Sequence, residues 1–537
     1  MSGLSRRHLL GTALAGSAVT FSGVAAAKIE NPCKLPQKWD ETHKVVIVGS
    51  GGAGLAVAVS AAQNGVKDIV VLEKMSYIGG NTAISGGAFN TTDHKRQPKQ
   101  GIKDSPELHA EQTLKGGDFR ANPALVHKMT ENSEAALNWL EEMGVAFKPE
   151  VYQVYGALYP RSHDAVHSLG SDYIKVLKAQ CDKLGIKIFT NSRVTGLIRE
   201  QPLSGRVLGV EFEDSKKAKK YWKADIVVVC AGGFGANPKM RAKYDPRMLN
   251  LTTTNHVGAT GDLIPLMEDI GADVIGMDHI QCNPGCPPGR KQRIVLHMHV
   301  EHLVMVDRKG QRFVAEDSRR DVIREAILSL PDQTGFSIID ADGYAALNPG
   351  HVAGLKKGLE TGDAWTADTI EELAKKIKVD PAALKKTIDE YNAGVDAKQD
   401  KLGKAARNLT KIDKAPFWAG YSGMSVHHTM GGVRINLDGP CRFAGRCGLH
   451  HRTSGRSHGQ DLCAGYRQRS DGVLLQRRTQ GWDALSVRRR SDDHSARNRR
   501  CNRALRRDGS QGRSCLLRFD CRLEDRRRLA RVRPDLP

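Results

Sequence analysis

The stretch 44–74, KVVIVGSGGAGLAVAVSAAQNGVKDIVVLEK, limits what this chain can fold into more than any other part of its sequence. An apolar run from Val45 to Val48 reads as a buried strand. It leads into Gly49-x-Gly51-x-x-Gly54, and an alanine-rich segment with helical character follows. Gly49 permits the tight turn, Gly51 lets the backbone approach a pyrophosphate, and Gly54 allows the helix to pack closely on the strand. The helix N-terminus then favours the negative charge of that pyrophosphate. Glu73 closes a second apolar strand, where a carboxylate can accept both hydrogen bonds of an adenosine ribose. Together these features predict an α/β domain of Rossmann-like type built to hold a dinucleotide.

The 537 residues leave room for two or three domains. A formal charge of +21 would suggest a polyanionic partner, but the charge is unevenly placed. Residues 438–537 carry 25 arginines and no lysine against 11 acidic residues. At the other end, Arg6 and Arg7 precede a mildly apolar run and a small-residue AAA site before Lys28. Residues 1–27 therefore read as a twin-arginine export signal, outside the fold, which predicts a periplasmic protein. Export argues against nucleic acid as a partner, and no later segment is apolar and long enough to span a bilayer as a helix. Six of the 11 cysteines fall in the arginine-rich segment, no C-x-x-C-H haem motif exists, and no metal site is read. Cys282 and Cys286 could form a disulfide or remain thiols, with a structural role favoured.

A second glycine-rich loop, IGGNTAISGGAFN, follows Glu73, and KADIVVVCAGGFGAN reads as a buried strand ending in glycines after a single strand in KIFTNSRVTGLI. With HVGATGDLIPLMEDIGADV, KGQRFVAEDSRRDVIREAIL, TIEELAKKIKVDPAALKKTIDEYNAGV and SVHHTMGGVRI, these blocks resemble, in order, the fumarate reductase and succinate dehydrogenase flavoprotein family. The likeness is greatest to its soluble, exported flavocytochrome-type branch and runs from about 42 to 437. It implies an FAD-binding domain over 42–277 that resumes at 427–439, with an α+β capping domain inserted at 278–426. It also implies FAD contacts at Gly49, Gly51, Ala53, Gly54, Glu73, Lys74, Asn81, Thr82, Ser85, Gly86, Gly87, Val194, Asp262 and His428. The histidine that tethers FAD in membrane-bound relatives has no counterpart in the second loop, so attachment should be noncovalent.

The reaction implied by the resemblance is reduction of a double bond conjugated to a carboxylate. Arg320 matches the catalytic arginine and His427 the substrate-carboxylate histidine. A guanidinium gives up a proton only if a relay restores it at once, because its pKa exceeds about 12. Without the flanking blocks, Arg319 and Arg320 would read as decoration on a helix start capped by Ser318. Where fumarate reducers carry a histidine, this chain has Asn283, which can hydrogen-bond a carboxylate but brings no charge. Their Thr-Glu pair and arginine relay are replaced by RIVLHMHVEH, where His297, His299 or Glu301 could serve. These departures favour an unsaturated acid other than fumarate, such as an acrylate. A separate c-type cytochrome or other donor should supply the electrons. A ketosteroid dehydrogenase is the alternative within this fold, but a ketone needs no carboxylate clamp.

After Gly439 the family's Ala-Gly-Glu segment, second substrate arginine and closing helix do not appear. Arginine without lysine is what a shifted reading frame in a GC-rich gene yields, so 440–537 reads as an aberrant tail, not natively folded. The remaining alternatives are a polyanion-binding arm and an FAD-binding protein without turnover.

Overall fold

The computed structural model describes residues 35–154, 157–167 and 170–441. The export signal read at 1–27 and the tail beyond 441 lie outside the described residues.

The first sheet is built from β1 (Glu41–Val48), β2 (Ile69–Leu72), β3 (Lys187–Phe189), β4 (Arg193–Gln201), β5 (Ser204–Glu213) and β6 (Lys219–Val229), in the order β3-β2-β1-β6-β5-β4. Its first four members run parallel, with Val45 opposite both Ile69 and Ile226, and the β4–β5–β6 portion is antiparallel. Because side chains alternate across a strand, β1 feeds two cores. Val45 and Ile47 pack with Leu55, Ala58 and Val59 of α1 (Gly52–Gln63), while Val46 and Val48 pack with Leu263 and Met267 on the other face. A strand buried on both faces needs the unbroken apolar run seen at 45–48.

Two sequence expectations change here. KIFTNSRVTGLI forms two strands, β3 and β4, because Asn191 takes a left-handed conformation (φ 53°) and turns the chain between them. The segment ending β6 is only half-buried, with Ile226 56% exposed among the described residues. Apolar composition alone misread this strand: one side of it pairs with the central β1, but its own outer side chains lack cover.

Further along come β7 (Thr252–Thr253) and β8 (Ile280–Cys286), followed by an antiparallel sheet of β9 (Val304–Val306), β10 (Phe336–Ile339), β11 (Ala364–Ala367) and β12 (Phe417–Tyr421), in the order β9-β10-β12-β11. Val304, Phe336, Leu373, Leu384 and Ile388 give this α+β region its own core. Its buried Glu316 is ion-paired with Arg312 and Lys404. The chain then returns as β13 (Gly423–Thr429), parallel to β7 and antiparallel to β8. On β13 the register with β8 skips from His428, opposite Gln281, to Val426, opposite Cys282. His427 is thus the extra residue of a β-bulge, a device that re-aims a side chain out of the ladder.

Candidate active site

A cleft of about 250 Å³ opens at the C-terminal ends of β1, β2 and β6. That is where open parallel sheets place their ligands. Gly49, at φ 105°, makes the turn, and a Cβ there would come within 2.5 Å of the Cys230 carbonyl. A Cβ on Gly54 would lie 1.9 Å from the Gly49 carbonyl, so this glycine serves the close packing of helix on strand and does not line the cleft. Gly51 does line it, and a Cβ there would meet only the Gly79 carbonyl at 3.8 Å. The N-cap Gly51 has no side chain to cap α1, so apart from Gly52 its first turn presents backbone N–H groups beside the cleft. The second loop leads into the short helix α2 (Gly80–Ile84). The loop is fastened to the first by the Gly79 N–H donating to Ser50 O at 3.1 Å and the Gly52 N–H donating to Thr82 Oγ1 at 3.1 Å.

Glu73 is buried at the far end, where its carboxylate accepts from the Ser50 N–H at 3.0 Å, the Ser50 hydroxyl at 2.7 Å and the Met75 N–H at 2.9 Å. Each carboxylate oxygen can accept more than one hydrogen bond, which leaves capacity for a diol. Lys74 pairs with Asp262 at 3.1 Å, and Arg193 reaches the same carboxylate at 3.2 Å. Burial raises the Asp262 pKa, but the Thr260 hydroxyl, Lys74 and Arg193 outweigh it and hold the group below the usual carboxylate range. Gly49, Gly51, Ala53, Glu73, Lys74, Asn81, Thr82, Val194 and Asp262 all line the cleft. Ser85, Gly86, Gly87 and His428 do not. Ser85 ends α2, the Gly87 carbonyl accepts from the Tyr173 hydroxyl, and His428 is exposed on β13. Ser50, Arg193, Gly232 and His256 line the cleft without having been singled out in the sequence, though the quoted loops contain them.

Asn81 joins this cleft to a second constellation. Its amide donates to Asn255 Oδ1 at 2.8 Å, and the Asn255 amide donates to the His427 carbonyl at 2.9 Å. His427 Nδ1 lies 2.7 Å from the Thr254 hydroxyl. Burial, then Arg320 and Arg293, push its imidazole down to about 4. Arg320 opens the helix α3 (Arg320–Leu328) and donates to Gln281 Oε1 at 3.2 Å. Arg319, not Ser318, is the N-cap, and it makes no side-chain capping bond. The two arginines divide: Arg319 sits at the surface between Asp118 and Asp321, while Arg320 turns toward β8. Decoration of a helix start therefore describes Arg319 and fails for Arg320. Asn283 is buried on β8. His297 is buried too, its pKa driven down to about 3 by burial, Arg293, Arg320 and neighbouring histidines. His299 and Glu301 are half-exposed and 3.4 Å apart. Cys282 and Cys286 are both free thiols, and Cys282 contacts the Met248 sulfur at 3.8 Å. Among the described residues no cluster is arranged to hold a metal ion.

A parallel sheet with a glycine-lined cleft, a helix start whose N-cap is glycine and a buried ribose-type carboxylate defines a dinucleotide-binding flavoprotein. The glycine cradle, which Cβ atoms would close, fits FAD, the chain's cofactor. The family model described as FAD binding domain matches residues 44–446, and the chain belongs to this family, in its fumarate reductase flavoprotein group. It is similar to the urocanate reductase of Eggerthella lenta, with 35% identity over 73% of this chain and 66% of that protein, just under two thirds of its length. It is also similar to the acrylate reductase flavoprotein subunit of Shewanella woodyi, with 32% identity over 81% of this chain and 88% of that one. Among solved structures, the open conformation of a flavocytochrome c3 fumarate reductase superposes with a TM-score of 0.64 at 31% identity, over 76% of this chain and 71% of that one.

Proposed function

We propose that this chain is an FAD-dependent reductase of α,β-unsaturated carboxylates, with Arg320 as proton donor, His427 and Asn283 as substrate contacts, and residues 278–426 as the cap over the site. The observation that carries the reading is that Arg320 is bonded to Gln281, at the β8–β13 bulge that turns out His427, at the end of the Asn81–Asn255 link from the FAD cleft. FAD, when bound and reduced, would supply the hydride for the β carbon. Arg320, steadied by Gln281, offers a proton to the α carbon and stabilises the enolate-like charge that develops on the carboxylate. With Nδ1 engaged by Thr254, neutral His427 keeps Nε2 for a substrate oxygen. His299 and Glu301, at the half-exposed margin, suit the proton-restoring relay that an arginine acid requires. We assign FAD contacts to the cleft-lining residues and noncovalent attachment to the flavin.

The same reading takes 1–27 as a twin-arginine signal, the periplasm as the compartment, and a separate c-type cytochrome as electron donor. It also takes 440–537 as out of frame, which removes a substrate arginine and a flavin-side glutamate that the resemblance implies. Hydride transfer needs the reacting atoms roughly 3–3.5 Å apart and aligned, so a lost clamp costs orders of magnitude in rate. The test compares the chain as sequenced with one whose frame is restored after codon 440, each assayed with reduced viologen on fumarate, acrylate and urocanate. Turnover is expected in the restored chain and should be absent or very low in the other. No turnover in either would overturn the reductase reading, and equal turnover would overturn the frame argument.

A further inference from the structure

The bulge that turns out His427 has little strand beside it, because β7 is only two residues long. Its ladder with β13 pairs Thr252 with Ser425 and Thr253 with Val426, and ends there. The Thr254 N–H still donates to the Val426 carbonyl at 3.0 Å. Neither of the next two N–H groups continues toward β13. That of Asn255 donates to Thr253 Oγ1 at 3.0 Å, and that of His256 to Asn81 Oδ1 at 2.7 Å. The Asn255 side chain takes over instead. Its amide reaches the His427 carbonyl at 2.9 Å and the Val426 carbonyl at 3.3 Å, the two carbonyls at the bulge.

Backbone groups fix the direction of this link at both ends. The His256 N–H can only donate, so Asn81 turns its oxygen toward it and its amide toward Asn255. The His427 and Val426 carbonyls can only accept, so Asn255 turns its amide toward them and its oxygen toward Asn81. Neither amide can flip without opposing like groups at both of its contacts. The fold also makes room for Asn255: a Cβ on Gly235 would lie 2.5 Å from its amide nitrogen, 2.6 Å from Cγ and 2.7 Å from Oδ1. Asn255 itself does not line the FAD cleft, whereas Asn81 and His256 do.

Resting on the reading of His427 as a substrate contact, we propose that Asn255 is a positioning residue for that histidine: its amide replaces the missing ladder rung, holds the bulge, and so fixes the direction in which the imidazole meets a substrate carboxylate. Without that amide the His427 carbonyl loses this donor, and the bulge can relax toward a regular register that turns the imidazole to another face. Through Asn81 the same side chain ties that direction to the FAD cleft.

The test uses the full chain with FAD, and propionate as an unreactive monocarboxylate probe. Calorimetry should show propionate binding about 10-fold weaker in Asn255→Ala than in wild type, with FAD affinity changed by less than about 3-fold. His427→Ala should lose about as much, and adding Asn255→Ala to it should cost less than about 2-fold more, because Asn255 acts only through the histidine. In NMR spectra of histidine-labelled protein, the ring nitrogen signals of His427, assigned by their loss in His427→Ala, should shift in Asn255→Ala. Gly235→Ala keeps the amide but presses a methyl against it, and should reproduce both the loss and the shift, so the outcome does not hang on whether Asn255→Ala folds. Unchanged ring signals of His427 in these variants would overturn the proposal. So would losses that simply add to that of His427→Ala, and so would an Asn255→Ala that binds propionate as wild type does while His427→Ala does not. If the ring signals shift but propionate binding is the same with and without His427, the positioning role of Asn255 stands and the assignment of His427 to substrate falls.

Discussion

The FAD cleft and the proposed substrate site are parts of one chain, and they are made in opposite ways. The cleft is largely backbone: glycines at 49, 51 and 79, a helix start with glycine as its N-cap, and one carboxylate held by three protein donors. The proposed substrate site is side chains drawn from distant segments, among them His297, Arg320 and His427, where burial and the arginines Arg293 and Arg320 push the two imidazoles down. A site made of backbone is stable before its ligand arrives. A site that sets arginines beside imidazoles held neutral is kept together by the surrounding core and gains most when an anion binds.

The sharpest way to break this division is to change one side and read the other. Arg320→Ala in the frame-restored protein should lower turnover with reduced viologen by at least about 1000-fold, since a transition-state interaction is removed, while FAD content stays at the wild-type level. Near-wild-type turnover would return Arg320 to the surface role that Arg319 plays.

What the sequence disclosed follows the same line. The cleft was legible because each of its demands falls on a short contiguous run: a strand, a turn that only glycine can make, a helix and a carboxylate. Nine of the fourteen predicted FAD contacts line the cleft. Gly54 instead packs behind it, and Ser85, Gly86, Gly87 and His428 lie away from the lining. Arg320 and His427 could be proposed only through ordered resemblance, because nothing local says that a helix start will face a strand a hundred residues on. The bulge that aims His427 has no sequence signature here. The exposure of Ile226 was missed because a strand's composition does not say what covers it.

Mild acid should separate the two regions next. His297 and His427 fall to about 3 and about 4 in the fold, against 6.5 when unfolded. The unfolded chain therefore binds more protons below pH 6.5, so stability is greatest above that value and falls as pH drops toward the folded values. Urea denaturation should show a loss on the order of 5 kcal/mol between pH 7 and pH 4.5 for the two groups together, and His297→Gln should remove about half of it. Asp262, held below 3.8, stays charged throughout this window, so the cleft's own ion pairs persist. An unchanged midpoint would mean that these histidines are already protonated in the fold.

From the cleft side, Glu73→Ala removes an acceptor and strands the Ser50 and Met75 N–H groups. FAD affinity should fall about 10- to 100-fold, as expected for lost hydrogen bonds to a charged group, while turnover at saturating FAD is retained. Fluorescence titration of the apoprotein measures the first, and denaturation followed by filtration tests attachment. Flavin retained with the polypeptide would refute noncovalent binding.

The smallest effect is the most informative about substrate. Asn283 is buried on β8 and has no charge to offer a carboxylate, whereas a histidine there could carry one. Where burial, Arg293 and Arg320 already press His297 and His427 toward their neutral forms, however, a new imidazole would be pressed the same way. Asn283→His should therefore shift kcat/KM toward fumarate over acrylate by only about 3- to 5-fold at pH 7, with a larger shift at lower pH as the ring takes up its proton. A shift of 100-fold or more at neutral pH would show that the site tolerates another cation without an anion to balance it. The contrast between a settled cleft and an electrostatically loaded pocket would then be wrong.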